Sequence, residues 1–494
     1  MQAQLDRRRF LLSSAAAAAA TSSLAYAAPR PALRVVSPAP SPAISDTAWK
    51  QLAMQMRGGV LRPSDSTYAK TARPDNLRYA GILPAGIAQC FDAQDVAIAI
   101  HWCRENGVKL ITRAGGHSYA GFSTTTGLMI DVRAMAGTHY DPATQEVTIQ
   151  GGALNSDVYT ALKAAKRTIT HGRCPTVGAA AFLLGGGIGF NMRRNGLACD
   201  AVTATDIVLA DGTLKRGVKS GDDLYWACRG GGGGNFGINT SFTMKTIPAD
   251  PVTVFQIVWQ DATVELGEAL MQSLHTAPET LGSRVSFRAV SGRVDIDLLG
   301  QLRGSSAELH EILSPALSLA TPHEKKIQDQ IDYWDAQIFL HEDPDPTYYQ
   351  ERSGYIPDQF PANFLAQGFE HLRRAPNTGG NCDLRFFQTG GQINTVSAEA
   401  TAFVHRSNHW LMVVGLYWNA ATNGNEPLLR GAHDWQNQLY QAMLPATDKM
   451  AYQNFPDPSL VDWRNAYYGK NYGKLHDIKT HVDPAGVFNF AQAI

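Results

Sequence analysis

Two short loops each place a reactive side chain between glycines. His117 lies in the run from Arg113 to Gly121 (RAGGHSYAG), and Cys174 follows 57 residues later in the run from Gly172 to Gly178 (GRCPTVG). Glycine lets the backbone approach a flat cofactor closely and turn consecutive N–H groups toward a pyrophosphate. Alone, a glycine-bordered histidine is usually a loop residue, and a single cysteine is usually a small buried hydrophobic side chain. Together, the two side chains favour a cofactor held by two covalent bonds, which would make Cys174 unavailable for a disulfide.

Two further glycine-rich runs follow. Residues 183–189 read LLGGGIG, and residues 230–238 read GGGGGNFGI. Five consecutive glycines can form a flexible linker, but these directly precede an Asn-Phe-Gly-Ile sequence and a predicted strand. They do not form a Gly-x-Gly-x-x-Gly turn at the head of a βαβ unit, so the pattern disfavours a Rossmann fold.

The glycine runs and the C-terminal sequence resemble one flavoprotein family. The tail reads YYGKNY at residues 467–472 and DPAGVF at residues 483–488. With the loops of His117 and Cys174, it is similar to the berberine-bridge-enzyme-like branch of the vanillyl-alcohol-oxidase (PCMH) flavoprotein superfamily. The resemblance extends over residues 60–494 and is strongest around the expected cofactor.

The resemblance implies a covalently bound FAD. In the family, the matching histidine bonds the flavin 8α-methyl group and the matching cysteine bonds C6, which assigns these links to His117 and Cys174. The backbone near Ile238 would meet the adenine, Asn471 would pack beside the cofactor, and no metal is expected. The FAD-binding residues that the resemblance implies are Arg113, Ala114, Gly115, Gly116, His117, Ser118, Cys174, Val177, Gly178, Gly186, Gly187, Gly189, Ile238 and Asn471.

The resemblance also implies an α+β fold. It predicts a two-part PCMH-type FAD-binding domain at residues 46–250, a substrate domain with an antiparallel sheet backed by helices at 251–450, and a C-terminal segment at 451–494 that returns to the FAD-binding domain. The chain is longer than one hydrophobic core normally covers. The hydrophobic patterns agree, because they predict helices over residues 95–103 and 263–276 and strands over 108–112, 128–132, 146–150, 252–259 and 285–299.

The N-terminus has the features of an export signal. Arginines at residues 7–9 precede an apolar, alanine-rich tract that ends in Ala25-Tyr26-Ala27. This order is typical of a twin-arginine (Tat) signal cleaved after Ala27, whereas the alternative is a basic N-terminus before a flexible tail. We therefore expect the Tat translocon to export the folded flavoprotein to the periplasm or the medium, with residues 28–45 as a linker.

The composition argues against several other partners. A formal net charge of −1 disfavours a nucleic-acid-binding surface. No second apolar run of the length of a membrane span follows the signal, so no membrane anchor is expected in the mature form. Six cysteines in 494 residues do not make a disulfide scaffold. The expected partners are a small-molecule substrate and dioxygen.

A flavin of this kind accepts hydride at N5 from a carbon that bears a hydroxyl or an amine. Val177 matches the family position where a small side chain admits dioxygen to the flavin. The resemblance thus implies an oxidase that acts on a carbohydrate, an alcohol or a secondary metabolite and reduces O2 to H2O2. The alternative is a dehydrogenase, or a flavoprotein that has lost turnover and acts as a binding protein.

The base that would take the hydroxyl proton is missing from its family position. Alcohol-oxidising relatives carry tyrosine in an Asn-Tyr-x-Asp sequence, but residues 454–457 read NFPD here, and Thr389 and Thr395 replace other functional groups. Phenylalanine cannot transfer a proton, so Phe455 packs and another side chain acts. The candidate catalytic residues are Tyr119, Tyr452 and Gln392, and His405 is either a weaker candidate or a structural histidine.

Overall fold

The computed structural model describes residues 44–342 and 345–494, so the predicted signal and nearly all of the linker lie outside the described residues. The described chain is a mixed α+β fold, which confirms the predicted fold class. Its α-helices are Asp46–Gln55, Tyr68–Ala72, Ala93–Asn106, Asn155–Ala164, Ala179–Leu184, Met192–Asn195, Asp223–Ala227, Val264–His275, Ser306–Leu319, Tyr333–Leu340, Phe364–Arg373, Gln392–Thr395, Ala420–Asn423, Glu426–Met443, Trp463–Tyr468 and Tyr472–Val482, with 3₁₀ turns at Leu77–Tyr79, Ala198–Ala201, Leu444–Ala446 and Gly469–Asn471. None of these helices is both long enough and apolar enough to cross a membrane.

A four-stranded sheet carries the loop of His117. The helix Ala93–Asn106 leads into this sheet; the Asp92 carboxylate caps its N-terminus, and Gly107 ends it with a φ of 63°. The strand that follows ends at Arg113, four residues before His117, so the sheet fixes where the loop starts. In spatial order the strands are Val60–Leu61, Gly86–Gln89, Leu128–Asp131 and Leu110–Arg113, of which the last three are parallel.

An antiparallel five-stranded sheet carries the glycine run. Its central strand begins at Ile238, directly after that run, and pairs Ile238 with Val208. In spatial order the strands are Thr138–Asp141, Glu146–Gln150, Ile238–Lys245, Val202–Val208 and Leu214–Lys219. A small two-stranded sheet, Arg167–Thr168 with Ile247–Pro248, lies outside this order.

The third large sheet has seven antiparallel strands. The predicted strand pattern over residues 285–299 belongs to two of them, which are joined by a turn where Ser291 and Gly292 both have positive φ. In spatial order the strands are Glu324–Ile331, Val252–Trp259, Arg293–Leu302, Leu281–Val290, Gly379–Gln388, Trp410–Trp418 and Tyr348–Ile356.

The two faces of this sheet differ in chemistry because successive side chains alternate between them. One face packs Phe287, Leu384 and Met412 into an apolar core with helices such as Phe364–Arg373 and Glu426–Met443. The other face carries polar and charged side chains, although many of them are also buried.

The C-terminal segment packs against the glycine run. The ammonium of the buried Lys479 donates to the Asn235 carbonyl at 2.7 Å and to the Asp483 carboxylate at 2.8 Å. The Tyr468 hydroxyl donates to the Gly231 carbonyl at 3.2 Å. These bonds satisfy buried backbone carbonyls and so hold the glycine run in one conformation.

Candidate active site

A cavity of about 390 Å³ is lined by residues of all three large sheets. Its wall contains the loops of His117 and Cys174, residues 232–234 of the glycine run, and side chains of the seven-stranded sheet, including Tyr417 and Gln388. This volume is typical of small-molecule and cofactor sites. The predicted site residues that line it are Ala114, Gly115, Gly116, His117, Ser118, Tyr119, Cys174, Val177, Gly178, Gly189, Ile238 and Tyr452.

Both nitrogens of the His117 ring have polar neighbours. Nε2 is 3.0 Å from the Thr176 hydroxyl, in the loop of Cys174, and Nδ1 is 3.4 Å from Asp75 Oδ2. The same Asp75 oxygen accepts a hydrogen bond of 3.2 Å from the Tyr349 hydroxyl. The fully buried Asn76 donates to the carbonyls of Tyr119 and Tyr349, both at 3.0 Å. The ring orientation is therefore set by three separate segments of the chain.

The helix Asn155–Ala164 holds the loop of Cys174 through its first turn. The Asn155 side chain donates to the Cys174 carbonyl at 3.0 Å, and its backbone N–H donates to the Val177 carbonyl at 2.9 Å. N–H groups in the first turn of a helix lack partners within the helix and so bind such carbonyls. Cys174 is partly exposed, whereas the other five cysteines are buried free thiols whose pKa values are raised by burial.

The two loops touch backbone to backbone. A Cβ atom added at Gly115 would lie 2.4 Å from the Thr176 carbonyl oxygen and 2.5 Å from the Gly178 nitrogen. A Cβ atom at Gly178 would lie 2.8 Å from the Ala114 side chain. Only glycine fits at these two positions, so the approach of the loops explains why both are glycine.

The residues present fit a flavin dinucleotide. His117 and Cys174, the two residues that would bond it, face one cavity. At Gly233 and Gly234 an added Cβ would find no atom closer than 3.8 Å, so these positions open into the cavity and leave the backbone accessible. Within the described part of the chain, the buried Thr112 hydroxyl on the wall has no hydrogen-bond partner. A bound group with polar edges would supply one.

Three predicted FAD-binding residues support the wall from behind rather than lining it. The buried Arg113 donates from Nε to the Ser123 carbonyl at 3.0 Å and from Nη1 to the Thr71 carbonyl at 2.7 Å. The Gly187 N–H donates to the Tyr452 hydroxyl at 3.1 Å, and a Cβ at Gly186 would strike the ring of Phe403. The hydrogen bonds of Arg113 and Gly187 thus run to other groups of the protein behind the cavity wall.

Asn471 and Gln392, which the sequence assigns to the cofactor and to catalysis, are not among the residues that line the cavity. The Asn471 amide donates to the carbonyls of Ala398 at 2.7 Å and Thr401 at 3.2 Å, and so holds the backbone of residues 398–401 in place. Gln392 is exposed in the one-turn helix Gln392–Thr395 and does not reach the wall.

Aromatic rings form one side of the cavity. Phe455 stacks on Tyr119 with ring centroids 4.9 Å apart and an interplanar angle of 3°. The ring of Tyr452 meets Phe455 edge-on at 5.0 Å, and Phe387 lies 6.0 Å from it. Phe455 thus packs between other rings, as the sequence predicts for a side chain that cannot transfer a proton.

The two predicted tyrosine bases differ in their polar contacts. The Tyr452 hydroxyl accepts hydrogen bonds from the Gly187 N–H and from the Asn454 amide, the latter at 3.2 Å. Burial raises the pKa of Tyr452, and burial followed by the charge of Glu351 raises that of Tyr119. His405 is buried, stacks on Tyr355 at 4.3 Å, and has its pKa lowered to about 3 by burial, so it lies in the protein as a neutral ring.

A charged cluster that the sequence analysis missed lies beside these rings. The Tyr417 hydroxyl donates to Glu351 Oε1 at 2.5 Å, and Arg385 Nη1 donates to the same oxygen at 2.9 Å. Arg385 also donates to Asp383 Oδ2 through Nη2 at 2.9 Å and Nε at 3.1 Å. Tyr417 and Arg385 line the cavity, while Glu351 and Asp383 are buried behind them. The sequence feature that could have predicted this cluster is the alternation of charged and apolar residues in DLRF at 383–386, which places Asp383 and Arg385 on one face of a strand.

Comparisons with known proteins agree with this geometry. Residues 84–217 match the family described as FAD binding domain, and residues 451–494 match the family described as berberine and berberine like. The uncharacterized FAD-linked oxidoreductase YgaK of Bacillus subtilis is 30% identical over 89% of this chain and 97% of its own length. The xylooligosaccharide oxidase of Thermothelomyces thermophilus is 29% identical over 94% and 97%. The solved structure of BBE-like 1 from Physcomitrella patens superposes with a TM-score of 0.81 at 25% identity, covering 90% of this chain and 98% of that one.

Proposed function

Because the chain belongs to the berberine-bridge-enzyme-like family of FAD-linked oxidoreductases, we propose that it is an exported oxidase with FAD bound through both His117 and Cys174. It takes hydride from a carbon that bears a hydroxyl or an amine, in a carbohydrate, an alcohol or a secondary metabolite, and passes the electrons to O2 to give H2O2. The observation that carries this proposal is the opening of His117 and Cys174 into one cavity.

The chain's own residues bind, orient and enclose the reactants. The flavin supplies the hydride acceptor, N5. Asp75 and Thr176 hold the ring of His117, the first turn of Asn155–Ala164 holds the backbone of Cys174, and the glycine run leaves space for the dinucleotide. The stacked rings of Tyr119 and Phe455 give an apolar surface on which a substrate can lie, and they exclude water from the reacting carbon.

The substrate surface combines rings with hydrogen-bonding groups. Beside the apolar side, Tyr417, Arg385 and Gln388 of the seven-stranded sheet also line the cavity. Rings beside donors and acceptors suit a molecule with a flat apolar face and several hydroxyls, such as a short saccharide or a glycosylated metabolite. The likeness to a xylooligosaccharide oxidase supports the saccharide class but names no substrate for this chain.

Oxygen access supports the oxidase over the dehydrogenase. Val177 lines the cavity beside Cys174, and its backbone is fixed by the hydrogen bond to Asn155. A small side chain at this position leaves room for dioxygen next to the flavin, as the family resemblance implies.

The direct test is oxygen consumption and peroxide formation with xylobiose, cellobiose, benzyl alcohol and benzylamine as probes. We expect at least one probe to give H2O2 in equal amount to the O2 consumed. A probe that bleaches the flavin under anaerobic conditions but causes no oxygen consumption in air would point to a dehydrogenase. Bleaching by none of the probes would contradict the proposed enzyme.

Export has its own test. Replacing arginines 7–9 together by lysine keeps the positive charge but removes the guanidinium groups of the twin-arginine signal. We expect the variant precursor to remain in the cytoplasm with its FAD bound, while the native precursor is processed at Ala27 and exported. Equal export of both would contradict a Tat route.

A further inference from the structure

Tyr417 and Glu351 form a hydrogen-bonded pair at the boundary between the cavity and the protein interior. Every other residue from Trp410 to Trp418 is buried, whereas Tyr417 is partly exposed and lines the cavity. Its hydroxyl donates to Glu351 Oε1 at 2.5 Å, and Glu351 is 1% exposed. A molecule in the cavity can therefore reach two groups that are bonded to the carboxylate, the Tyr417 phenol and the Arg385 guanidinium, and of these the phenol is the one that can pass a proton on.

The strand register builds this pair into the sheet. Glu351 and Asp383 are both paired with Gly415, one on each neighbouring strand, so the two carboxylates lie on the same face. A Cβ at Gly415 would lie 2.1 Å from Asp383 Oδ1, which shows that the missing side chain makes room for the acid. Tyr417 is two residues along from Gly415 and so shares that face.

The cluster has more acceptors than donors. Arg385 is shared by two carboxyl groups, so one guanidinium faces two acids. Among the described residues, Glu351 Oε2 and Asp383 Oδ1 are buried without a hydrogen-bond partner. Burial raises the pKa of Glu351 above its usual value even though Arg385 acts to lower it. A buried, underdonated carboxylate is a good proton acceptor.

We propose that Tyr417 is the catalytic residue that takes the substrate's hydroxyl proton, with Glu351 as the acceptor behind it and Arg385 as the positioning residue. The inference rests on the oxidase proposed above and identifies its base. It assigns that role to the strand Trp410–Trp418 of the seven-stranded sheet in place of Tyr119 and Tyr452.

The proton and electron count closes without a further reagent. The substrate O–H bond breaks as its proton moves to Tyr417 Oη, and the original phenol proton moves to Glu351 Oε1. The C–H bond breaks and its electron pair leaves with hydrogen as hydride for the bound flavin, so a C=O bond forms. When O2 takes the two electrons and the hydride-derived proton, the proton held by Glu351 completes H2O2 and the carboxylate is restored.

The other two tyrosines lack such an acceptor. The Tyr452 hydroxyl faces two donors, the Gly187 N–H and the Asn454 amide. For the Tyr119 hydroxyl, the described residues offer no hydrogen bond, and its ring is stacked on Phe455. A phenol passes a proton on only where a base stands behind it, and among these three tyrosines Tyr417 has one.

The test is anaerobic stopped-flow bleaching of the flavin by xylobiose, cellobiose and benzyl alcohol, using the purified holoprotein. For the alcohol that reduces the native protein fastest, we expect Tyr417→Phe to lower the limiting rate by about 10²–10⁴-fold, with a smaller change in the apparent dissociation constant. Glu351→Gln should lower the rate and abolish its rise with pH, because the amide cannot take the proton. Glu351→Asp should restore part of both.

Tyr440→Phe is the matched control. The Tyr440 hydroxyl donates to the Ser353 carbonyl on the same strand as Glu351 but lies outside the cavity, so its loss should leave flavin reduction unchanged. If Tyr417→Phe fails to fold, the pH profile of Glu351→Gln tests the proposal instead: loss of the rise of the rate with pH supports it, and an unchanged profile contradicts it.

Three results would overturn the proposal. One is a Tyr417→Phe rate within tenfold of the native rate, and another is an unchanged pH profile in Glu351→Gln. Either would leave the proposed oxidase standing with a different base. The third is bleaching of the native protein by benzylamine and by none of the alcohols, because a neutral amine needs no such base. If no probe bleaches the flavin, the oxidase proposal fails and this inference fails with it.

Discussion

The Asp75 carboxylate lies beside the imidazole of His117, with 3.4 Å between Asp75 Oδ2 and His117 Nδ1. The backbone holds this arrangement, since the Asp75 N–H donates to the Gly116 carbonyl and the Asp75 carbonyl accepts from the Thr347 N–H, both at 3.2 Å. A carboxylate at one ring nitrogen fixes the tautomer and takes up positive charge that develops on the ring. A ring that is held in this way and can share its positive charge with a carboxylate is suited to act as a nucleophile.

The first prediction follows from that contact. Asp75→Asn keeps the side-chain size but removes the negative charge, so we expect covalent attachment at His117 to slow by about 10²-fold. The measurement is the fraction of the His117 peptide that carries flavin mass, followed over time after FAD is added to apoprotein from riboflavin-starved cells. Native attachment kinetics in the variant would show that Asp75 has only a packing role.

The second prediction concerns the number of links. We expect the acid-precipitated protein to stay yellow, Cys174→Ala to retain flavin through His117 alone, and His117→Ala to retain it through Cys174 alone. Because two bonds to the ring system raise the flavin potential, each single variant should also be easier to oxidise than the native protein. A colourless native pellet, or complete loss of flavin from either single variant on denaturation, would contradict the two-link proposal.

The third prediction tests oxygen access. Val177→Ile adds one methyl group to a half-buried side chain on the cavity wall, and we expect the larger side chain to slow reoxidation by O2 by about tenfold. Flavin reduction by substrate should change little. Val177→Ala, which widens the same point, is the matched control and should reoxidise at least as fast as the native protein. Equal reoxidation rates in all three would remove the argument from Val177.

The cofactor side of this site was predictable from the sequence because its signals are local. His117 and Cys174 each stand in a short run whose glycines are required by a close backbone approach, and that requirement is visible in the residues themselves. The same runs also contain Arg113 and Gly187, which support the cavity wall from behind. Membership of a motif therefore identifies a loop that borders the cavity, whereas which of its side chains reach the cavity depends on the packing behind it.

The charged cluster was not predictable in the same way. Glu351, Arg385 and Tyr417 come from three strands whose spatial order differs from their order in the chain. Their contact depends on the register that pairs Gly415 with both Glu351 and Asp383, and a shift of one residue would turn every side chain to the other face. Each strand taken alone shows only a charged residue in an apolar pattern.

The fourth prediction concerns stability at low pH. Burial lowers the pKa of His171 to about 4 and that of His405 to about 3, against a usual value of about 6.5. Between pH 6.5 and 4 the unfolded chain therefore binds protons that the folded chain does not. The contribution of these two histidines to the free energy of unfolding is fully present above pH 6.5. It is lost as the pH falls, by about 1.4 kcal/mol per histidine and pH unit.

Scanning calorimetry of the holoprotein between pH 7 and 4.5 measures this loss. His171 contacts the Gly172 carbonyl at 2.7 Å and the Tyr333 hydroxyl at 2.8 Å, and the amide of His171→Gln can offer both a donor and an acceptor there. We expect the Tm of this variant to fall less steeply with decreasing pH than that of the native protein. Parallel curves would mean that His171 contributes nothing to the acid sensitivity.

The fifth prediction concerns Phe455→Tyr, which restores the tyrosine that alcohol-oxidising relatives carry at the matching position. The parallel rings of Tyr119 and Phe455, 4.9 Å apart, and the edge-on ring of Tyr452 already accommodate an aromatic side chain, so Phe455→Tyr adds only a hydroxyl at a cavity wall. In the native background we expect a modest gain in the rate of flavin reduction by an alcohol, because Tyr417 already supplies a base.

The informative background is Tyr417→Phe. There the added phenol at residue 455 is the replacement base, and we expect the double variant to recover at least tenfold of the lost rate, within the 10²–10⁴-fold range of a positioned acid or base. Phe387→Tyr, which also adds a hydroxyl to a cavity ring 6.0 Å from Phe455, is the matched control and should recover less. Recovery would show that proton transfer was the function lost with Tyr417. If the Tyr417→Phe rate is low and Phe455→Tyr recovers none of it, the phenol at residue 455 does not replace Tyr417, and the pH profile of Glu351→Gln decides between proton transfer and substrate positioning.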